Sequence, residues 1–128
     1  MMQAQMNKYV NNSVQTASPA QLLIMLYDGA IRFSKAAIDA LGKGNNEDAN
    51  RNLCKVQDII AEFIITLNTN SSLSSDLIML YEYFKQRLTE ANMKKDKGPV
   101  VEVLGYLVEL RETWIAASRL AGDVKRSS

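Results

Sequence analysis

A chain of 128 residues in which 15 lysines and arginines nearly cancel 14 aspartates and glutamates has a formal net charge of only +1. Because such a chain lacks the strong positive field that attracts phosphate backbones, we expect no nucleic acid partner. It contains no histidine and a single cysteine, Cys54, which excludes an intrachain disulfide framework and the common transition-metal and nucleophilic sites. We therefore expect a binding protein without metal or cofactor rather than an enzyme.

The length fits one domain with one hydrophobic core. No apolar stretch approaches the roughly 20 residues that a membrane span requires. Residues 1–12 also lack the basic start and apolar run of a secretion signal. These features predict a cytoplasmic protein without membrane insertion.

Residues 1–17 are predicted to form a flexible N-terminal arm or a short capping helix. They are rich in Gln, Asn, Ser and Thr, with isolated apolar residues that include Tyr9, Val10 and Val14. One hypothesis is that these three residues fold over an apolar groove when no partner occupies it. The alternative is that Tyr9 lies at the core edge of a frayed terminus.

Four helices follow, and capping signals mark where most of them begin and end. Ser18-Pro19-Ala20-Gln21 is a capping box that starts the first helix, which ends near Leu41 before Gly42. The predicted ranges of the other three helices are Asn45–Asp48 to about Asn68, Ser74–Asp76 to about Lys95, and Gly98–Pro99 to about Ala121. Residues 18–121 are thus predicted to be the helical bundle, and residues 122–128 a polar tail.

Apolar residues recur at alternating steps of three and four in these helices, which is typical of a left-handed bundle. The second helix carries Ala49, Leu53, Val56, Ile60, Phe63 and Leu67 at this spacing. Because short loops cannot return the chain to the same end, we predict an all-α, antiparallel, up-down-up-down four-helix bundle.

The first and fourth helices have more apolar residues than a single seam requires. The additional rows are Ile24, Tyr27, Ile31 and Ile38 on the first helix, and Val101, Leu104, Val108 and Ile115 on the fourth. One interpretation is that each helix packs against two neighbours. The other is an exposed apolar groove that accepts an amphipathic helix of a partner. The candidate partner-binding residues are Tyr9, Val10, Val14, Ile24, Tyr27, Ile31, Ile38, Val101, Leu104 and Val108.

A helical enzyme that grips a dianionic substrate, as chorismate mutases do, is a further alternative. Its only candidate residues are Arg32, Arg87 and Arg111, which are set in ordinary amphipathic helices. The acidic residues are better interpreted as solvated flanks of the helices. The arginines therefore give little support to an enzyme.

Four parts of the chain, in order, match a known pattern. They are Tyr9-Val10 with segments 18–23 and 25–30; segment 55–60; segments 80–84 and 87–88 with Ala91, Asn92 and Asp96; and residues 102–103, 110–111 and 113–114. Together they resemble the FliS family, the cytoplasmic export chaperones of flagellin. The resemblance implies a helical bundle that binds the disordered C-terminal segment of flagellin and prevents premature filament assembly.

By position, Tyr9 is similar to the arm tyrosine of the family, and Tyr27, Asp28 and Gly29 match its first-helix motif. The family also implies hand-over of the client to a component of the flagellar export gate, with participation of the arm around Tyr9. A homodimer of the client-free protein through the apolar face is a further expectation. The alternative function is a general helical adaptor that binds another amphipathic client.

Overall fold

The computed structural model describes residues 18–67 and 72–127. These residues form four helices and no strand: α1 (Pro19–Gly42), α2 (Asn46–Thr66), α3 (Ser72–Lys94) and α4 (Gly98–Ser127). The all-α prediction is confirmed. None of the helices in the described ranges is long and apolar enough to cross a membrane.

The predicted capping box at the start of α1 is present. The Ser18 hydroxyl accepts a hydrogen bond from the Gln21 backbone N–H at 3.2 Å, and the Gln21 side chain accepts one from the Ser18 N–H at 2.9 Å. After α1, Gly44 adopts a positive φ of 72°, which glycine tolerates without steric cost. Asn45 then caps α2 by accepting from the Asp48 N–H at 3.1 Å. Sequence-encoded caps therefore set the first turn.

Three predicted boundaries differ from the structure. Helix α2 ends at Thr66 rather than near Asn68, and α3 begins at Ser72 rather than at Ser74–Asp76. Helix α4 continues to Ser127, through most of the predicted tail, residues 122–128. The predicted helix end near Ala121 was wrong because Gly122 alone costs only about 1 kcal/mol in a helix and no proline follows it. The predicted arm, residues 1–17, lies outside the described residues.

The helices form a ring in which α1 and α3 each pack against both α2 and α4. On each interface, successive contacts move forward along one helix and backward along the other. The contacts are Gly29–Ile59 and Phe33–Lys55 between α1 and α2, Asn50–Asn92 and Gln57–Thr89 between α2 and α3, Phe84–Tyr106 and Arg87–Glu102 between α3 and α4, and Tyr27–Trp114 and Asp28–Arg111 between α1 and α4. The bundle is therefore antiparallel, with α1 diagonal to α3. This arrangement confirms the predicted up-down-up-down topology.

The core contains the predicted seams. Leu53, Val56, Ile60 and Phe63 of α2 are buried. The other helices contribute Ala30 and Ala37 from α1, Tyr81, Phe84, Leu88 and Ala91 from α3, and Val100, Val103 and Leu107 from α4.

Candidate partner-binding groove

An ion pair between α1 and α4 fixes the register of these two helices. Arg111 Nε donates to Asp28 Oδ1 at 2.5 Å, and this hydrogen bond raises the pKa of the Arg111 guanidinium. The side chains of Asp28 and Arg111 are 53% and 30% exposed, so the pair lies at the surface between the two helices. It serves as a reference point for the residues around it.

Three isoleucines of α1 share the face of Asp28. Ile24 lies four residues before it, Ile31 three residues after it and Ile38 ten residues after it, which are helical repeats of one face. All three are partly buried, and Ile31 and Ile38 pack against the core. We take them as the α1 wall of a candidate groove between α1 and α4.

The second wall comes from α4 and is more exposed. Leu104, Val108 and Ile115 lie seven residues before, three residues before and four residues after Arg111, which places them on its face of the helix. Val101 and Val108 are 50% and 41% exposed. We call the surface between the two walls the α1–α4 groove, formed by Ile24, Ile31, Ile38, Val101, Leu104, Val108 and Ile115.

The antiparallel register of α1 and α4 pairs each apolar residue of one wall with a residue at the same height on the other wall. Moving four residues back along α1 and four forward along α4 from the ion pair brings Ile24 to the level of Ile115. In the other direction, Ile31 lies at the level of Val108 and Ile38 at that of Val101. The groove therefore has three apolar levels over about 21 Å of helix, with the ion pair between the first two and Lys35, at the level of Leu104, between the second and third.

Most of the candidate residues are brought together in this groove, but Tyr27 is not. Its side chain is fully buried and stacks on Phe63, with ring centroids 4.5 Å apart. Its hydroxyl lies 2.5 Å from that of Tyr81 and accepts a hydrogen bond from Trp114 Nε1 at 3.1 Å. The structure therefore assigns Tyr27 to the core rather than to the partner-binding face. The predicted arm residues, Tyr9, Val10 and Val14, lie outside the described residues.

Burial explains the electrostatics of this aromatic cluster. It raises the pKa of both Tyr27 and Tyr81 above the ordinary value of 10.0, because ionised phenols are poorly solvated in the core. The Tyr27–Tyr81 hydrogen bond raises the pKa of Tyr81 further. Both phenols are therefore neutral at physiological pH and act as hydrogen-bonding groups of the core.

Sequence reasoning missed the pairing of Asp28 with Arg111. From the sequence alone, Asp28 is interpreted as a flank charge and Arg111 as a weak enzyme candidate on an ordinary amphipathic helix, and 83 residues separate them. Their positions could have indicated the pairing. Each residue lies in the middle of an additional apolar row, where a charge needs a partner. Gly29 follows Asp28 but faces α2, where a Cβ would lie 3.4 Å from Ile59 Cδ1.

A second apolar surface lies on the outer face of α3. Met79 is 71% exposed and Tyr83 38% exposed, beside a depression that is lined by residues of α3 alone. Tyr83 donates to Glu102 Oε2 at 2.8 Å. Because residues of one helix supply the whole lining, this surface offers a client helix one wall, whereas the α1–α4 groove has apolar residues from two helices.

The three candidate arginines of an enzyme do not form one site. Arg87 binds Glu90 and Glu102, with N–O distances of 2.5 and 2.7 Å, and Arg111 binds Asp28. The Arg32 guanidinium lies 5.0 Å from the centroid of the Phe33 ring. Among the described residues no group of three or more metal-ligating side chains occurs. The contacts of these arginines thus serve helix packing.

Comparisons with known proteins agree with this architecture. Residues 1–121 match the family model described as flagellar protein FliS. The flagellar secretion chaperone FliS of Bacillus subtilis (strain 168) is 42% identical over 106 residues, which cover 83% of this chain and 80% of that protein. The proteins of the same name from Salmonella typhimurium and Escherichia coli (strain K12) are 32% and 31% identical over 108 residues, covering 82% of this chain and 80% and 79% of theirs. The chain belongs to the FliS family of flagellar proteins.

Proposed function

We propose that this protein is a cytoplasmic secretion chaperone that binds the disordered C-terminal segment of flagellin in the α1–α4 groove. It thereby prevents premature polymerisation and delivers flagellin to the flagellar export apparatus. Membership of the FliS family supports the class of function, since the relatives are named flagellar secretion chaperones. The observation that carries the mode of binding is the pair of exposed valines, Val101 and Val108, on an otherwise half-buried apolar groove.

The groove suits an amphipathic helix that folds as it binds. Its apolar levels recur every seven residues, so a client helix with the same repeat places one side chain at each level. Covering this surface removes apolar area from water, which stabilises the complex by about 25 cal/mol per Å² before the cost of ordering the client. That cost keeps the complex releasable, as a delivery function requires.

The predicted N-terminal arm, residues 1–17, also has a role in this proposal. Tyr9, Val10 and Val14 would cover the groove when no client is bound and take part in hand-over to a component of the export gate. Their apolar character and the apolar walls that they would cover support this role. A client-free homodimer through the same groove is the competing arrangement.

The proposal is tested by calorimetric titration of the protein with the C-terminal segment of Bacillus subtilis flagellin, with circular dichroism to follow helix formation. The wild-type protein is expected to bind one segment per chain, with added helix. Val108→Asp places a charge in the groove at an exposed position and should weaken binding at least about tenfold, since burying a charge against an apolar client is costly. Met93→Asp is the matched control, because Met93 is 80% exposed on α3.

Binding that Val108→Asp weakens and Met93→Asp leaves unchanged supports both the client and the groove. Equal effects of the two variants would place the client elsewhere on the bundle. Failure of the wild-type protein to bind the flagellin segment would refute the client and favour a helical adaptor with another amphipathic partner.

A further inference from the structure

The ion pair between Asp28 and Arg111 interrupts the apolar α1–α4 groove, as does the exposed Lys35 one heptad further along α1, at the level of Leu104. The ion pair lies between the level of Ile24 and Ile115 and the level of Ile31 and Val108. A client helix that spans these levels must therefore cross the ion pair. We call Asp28 and Arg111 the clasp.

The clasp has unused hydrogen-bonding capacity. Asp28 Oδ1 accepts from Arg111 Nε, whereas Oδ2 has no partner among the described residues. Arg111 Nη1 makes one long contact of 3.4 Å to Glu112, and Nη2 has no partner in the same part of the chain. Because both side chains are partly exposed, water supplies the remaining hydrogen bonds in the free protein.

A bound client would displace this water. An apolar client side chain over the clasp would leave a carboxylate oxygen and a guanidinium N–H buried without partners. A client carboxylate would lie beside Asp28 and Glu112, and a client ammonium beside Arg111, so each charge meets repulsion as well as attraction. A neutral group with one donor and one acceptor matches both halves of the clasp.

We propose that the clasp selects a client helix that carries a side-chain carboxamide, asparagine or glutamine, between two apolar residues seven positions apart. The amide N–H₂ donates to Asp28 Oδ2, and the amide oxygen accepts from Arg111 Nη2. The apolar residues occupy the levels of Ile24 and Ile31. This inference rests on the proposed function, because it defines the client of the same groove.

The spacing of the clasp makes the pattern specific. Asp28 lies four residues from Ile24 and three from Ile31, so the carboxamide falls three or four residues from each apolar anchor of a client helix. A further apolar residue seven positions on reaches the level of Ile38 and Val101. Clients are therefore recognised by one polar interruption at a fixed place in a heptad-spaced apolar stripe.

The experiment uses designed amphipathic helical peptides with leucine every seven residues and one variable position between the first two leucines. Glutamine, leucine or glutamate occupies that position, and fluorescence anisotropy measures binding to the full-length protein. The glutamine peptide is expected to bind at least about tenfold more tightly than the other two, the factor that corresponds to about one unsatisfied buried hydrogen-bonding group. The flagellin segment is measured in the same assay.

A double variant, Asp28→Leu with Arg111→Leu, makes the groove continuously apolar from the level of Ile24 to that of Ile31. It should invert the preference, so that the leucine peptide binds more tightly than the glutamine peptide. The matched control is Arg87→Leu with Glu102→Leu, which removes another ion pair, between α3 and α4. This control should keep the wild-type preference, and circular dichroism verifies that both variants are folded.

The outcomes separate the two proposals. A glutamine preference that inverts in the clasp variant supports the inference, even if the flagellin segment fails to bind and the proposed client is refuted. Binding of flagellin without a glutamine preference overturns the clasp and leaves the proposed function standing. Failure of every peptide to bind, as when residues 1–17 or a second copy fill the groove, also overturns the clasp.

Discussion

The hydroxyl oxygens of Tyr27 and Tyr81 lie 2.5 Å apart across the diagonal of the bundle and join α1 to α3. Trp114 of α4 donates to the Tyr27 oxygen, so three helices meet at this hydroxyl. The hydroxyls of Tyr27 and Tyr81 and the indole N–H of Trp114 together make two hydrogen bonds, and the Tyr27 oxygen takes part in both. The aromatic rings themselves pack through Phe63, 4.5 Å from Tyr27 and 5.2 Å from Tyr81 between ring centroids.

This arrangement predicts unequal effects of removing the two hydroxyls. Tyr81→Phe removes one hydrogen bond and should lower the free energy of unfolding by about 0.5–1.5 kcal/mol. Tyr27→Phe removes both and leaves the Tyr81 hydroxyl and the Trp114 N–H without a partner, so we expect a larger loss, about 2–3 kcal/mol. Urea unfolding at neutral pH measures both values.

The double variant Tyr27→Phe/Tyr81→Phe tests whether the two hydroxyls act as a unit. It should be no less stable than Tyr27→Phe alone, because the second change removes the Tyr81 hydroxyl that the first left unpaired. Losses that simply add would mean that each hydroxyl has an independent partner and would contradict this description of the network.

The same pair predicts a loss of stability at alkaline pH. Burial raises the pKa of Tyr27 and Tyr81 in the folded protein above 10.0, whereas the unfolded chain keeps the ordinary value. Above about pH 10 the unfolded state therefore binds fewer protons, and the free energy of unfolding falls as pH rises. The expected slope is up to about 1.4 kcal/mol per pH unit for each tyrosine, and the contribution is fully present below pH 10.

Urea unfolding between about pH 9 and pH 11 measures this slope, and the ultraviolet absorbance of tyrosinate reports which phenols ionise. The Tyr27→Phe/Tyr81→Phe variant is the control. It keeps every lysine and should lose only the part of the slope that Tyr27 and Tyr81 contribute. If the double variant shows the wild-type slope, or if all tyrosines of the folded protein titrate near their ordinary pKa, the phenols are not held neutral by burial.

Ser34 is a second buried polar group with a testable cost. It is fully buried in α1, and its hydroxyl has no hydrogen-bond partner among the described residues. Ser34→Ala should raise the free energy of unfolding by about 1–2 kcal/mol, because it removes an unsatisfied hydroxyl and improves helix propensity. Chemical denaturation measures the gain.

The control for this change is Ser118→Ala in α4. Ser118 is only partly buried, so its replacement reports mainly helix propensity, about 0.5 kcal/mol. A gain at Ser34 no larger than that at Ser118 would show that the buried hydroxyl is satisfied after all.

The fold could be predicted largely because its signals are local. Ser18 and Gln21 begin α1 through contacts three residues apart, and the three-four repeat of α2 places Leu53 and Phe63 in the core. The end of α4 could not be predicted as well, since the helix continues past Gly122, a common stop signal that costs a helix only about 1 kcal/mol.

The candidate groove was only partly predictable, because it depends on how each helix is rotated in the bundle. The seven-residue repeat of Ile24, Ile31 and Ile38 is visible in the sequence and marks one wall. The burial of Tyr27 is not, since its hydroxyl is satisfied by Tyr81, 54 residues away. No local sequence pattern indicates which distant side chain will form the hydrogen bond that a buried polar group needs.

Lys95 offers a final prediction, at the turn between α3 and α4. It is the one non-glycine residue of the described chain with a positive φ, 51°, a conformation that costs residues with a Cβ about 1 kcal/mol. The turn is otherwise well organised, since Asp96 Oδ1 accepts from the Gly98 N–H at 3.0 Å. Lys95→Gly should therefore raise the free energy of unfolding by up to about 1 kcal/mol, despite losing the Lys95–Asn92 hydrogen bond.

Thermal and urea unfolding measure this gain, and Lys94→Gly is the matched control one residue earlier. Lys94 is the last residue of α3, where glycine loses helix propensity without relieving a strained φ, so the control should be destabilised. Opposite signs for the two neighbouring substitutions would show that backbone conformation, and not the loss of a lysine charge, decides the outcome. Destabilisation by both would mean that the Lys95 side chain stabilises the turn by more than its φ costs.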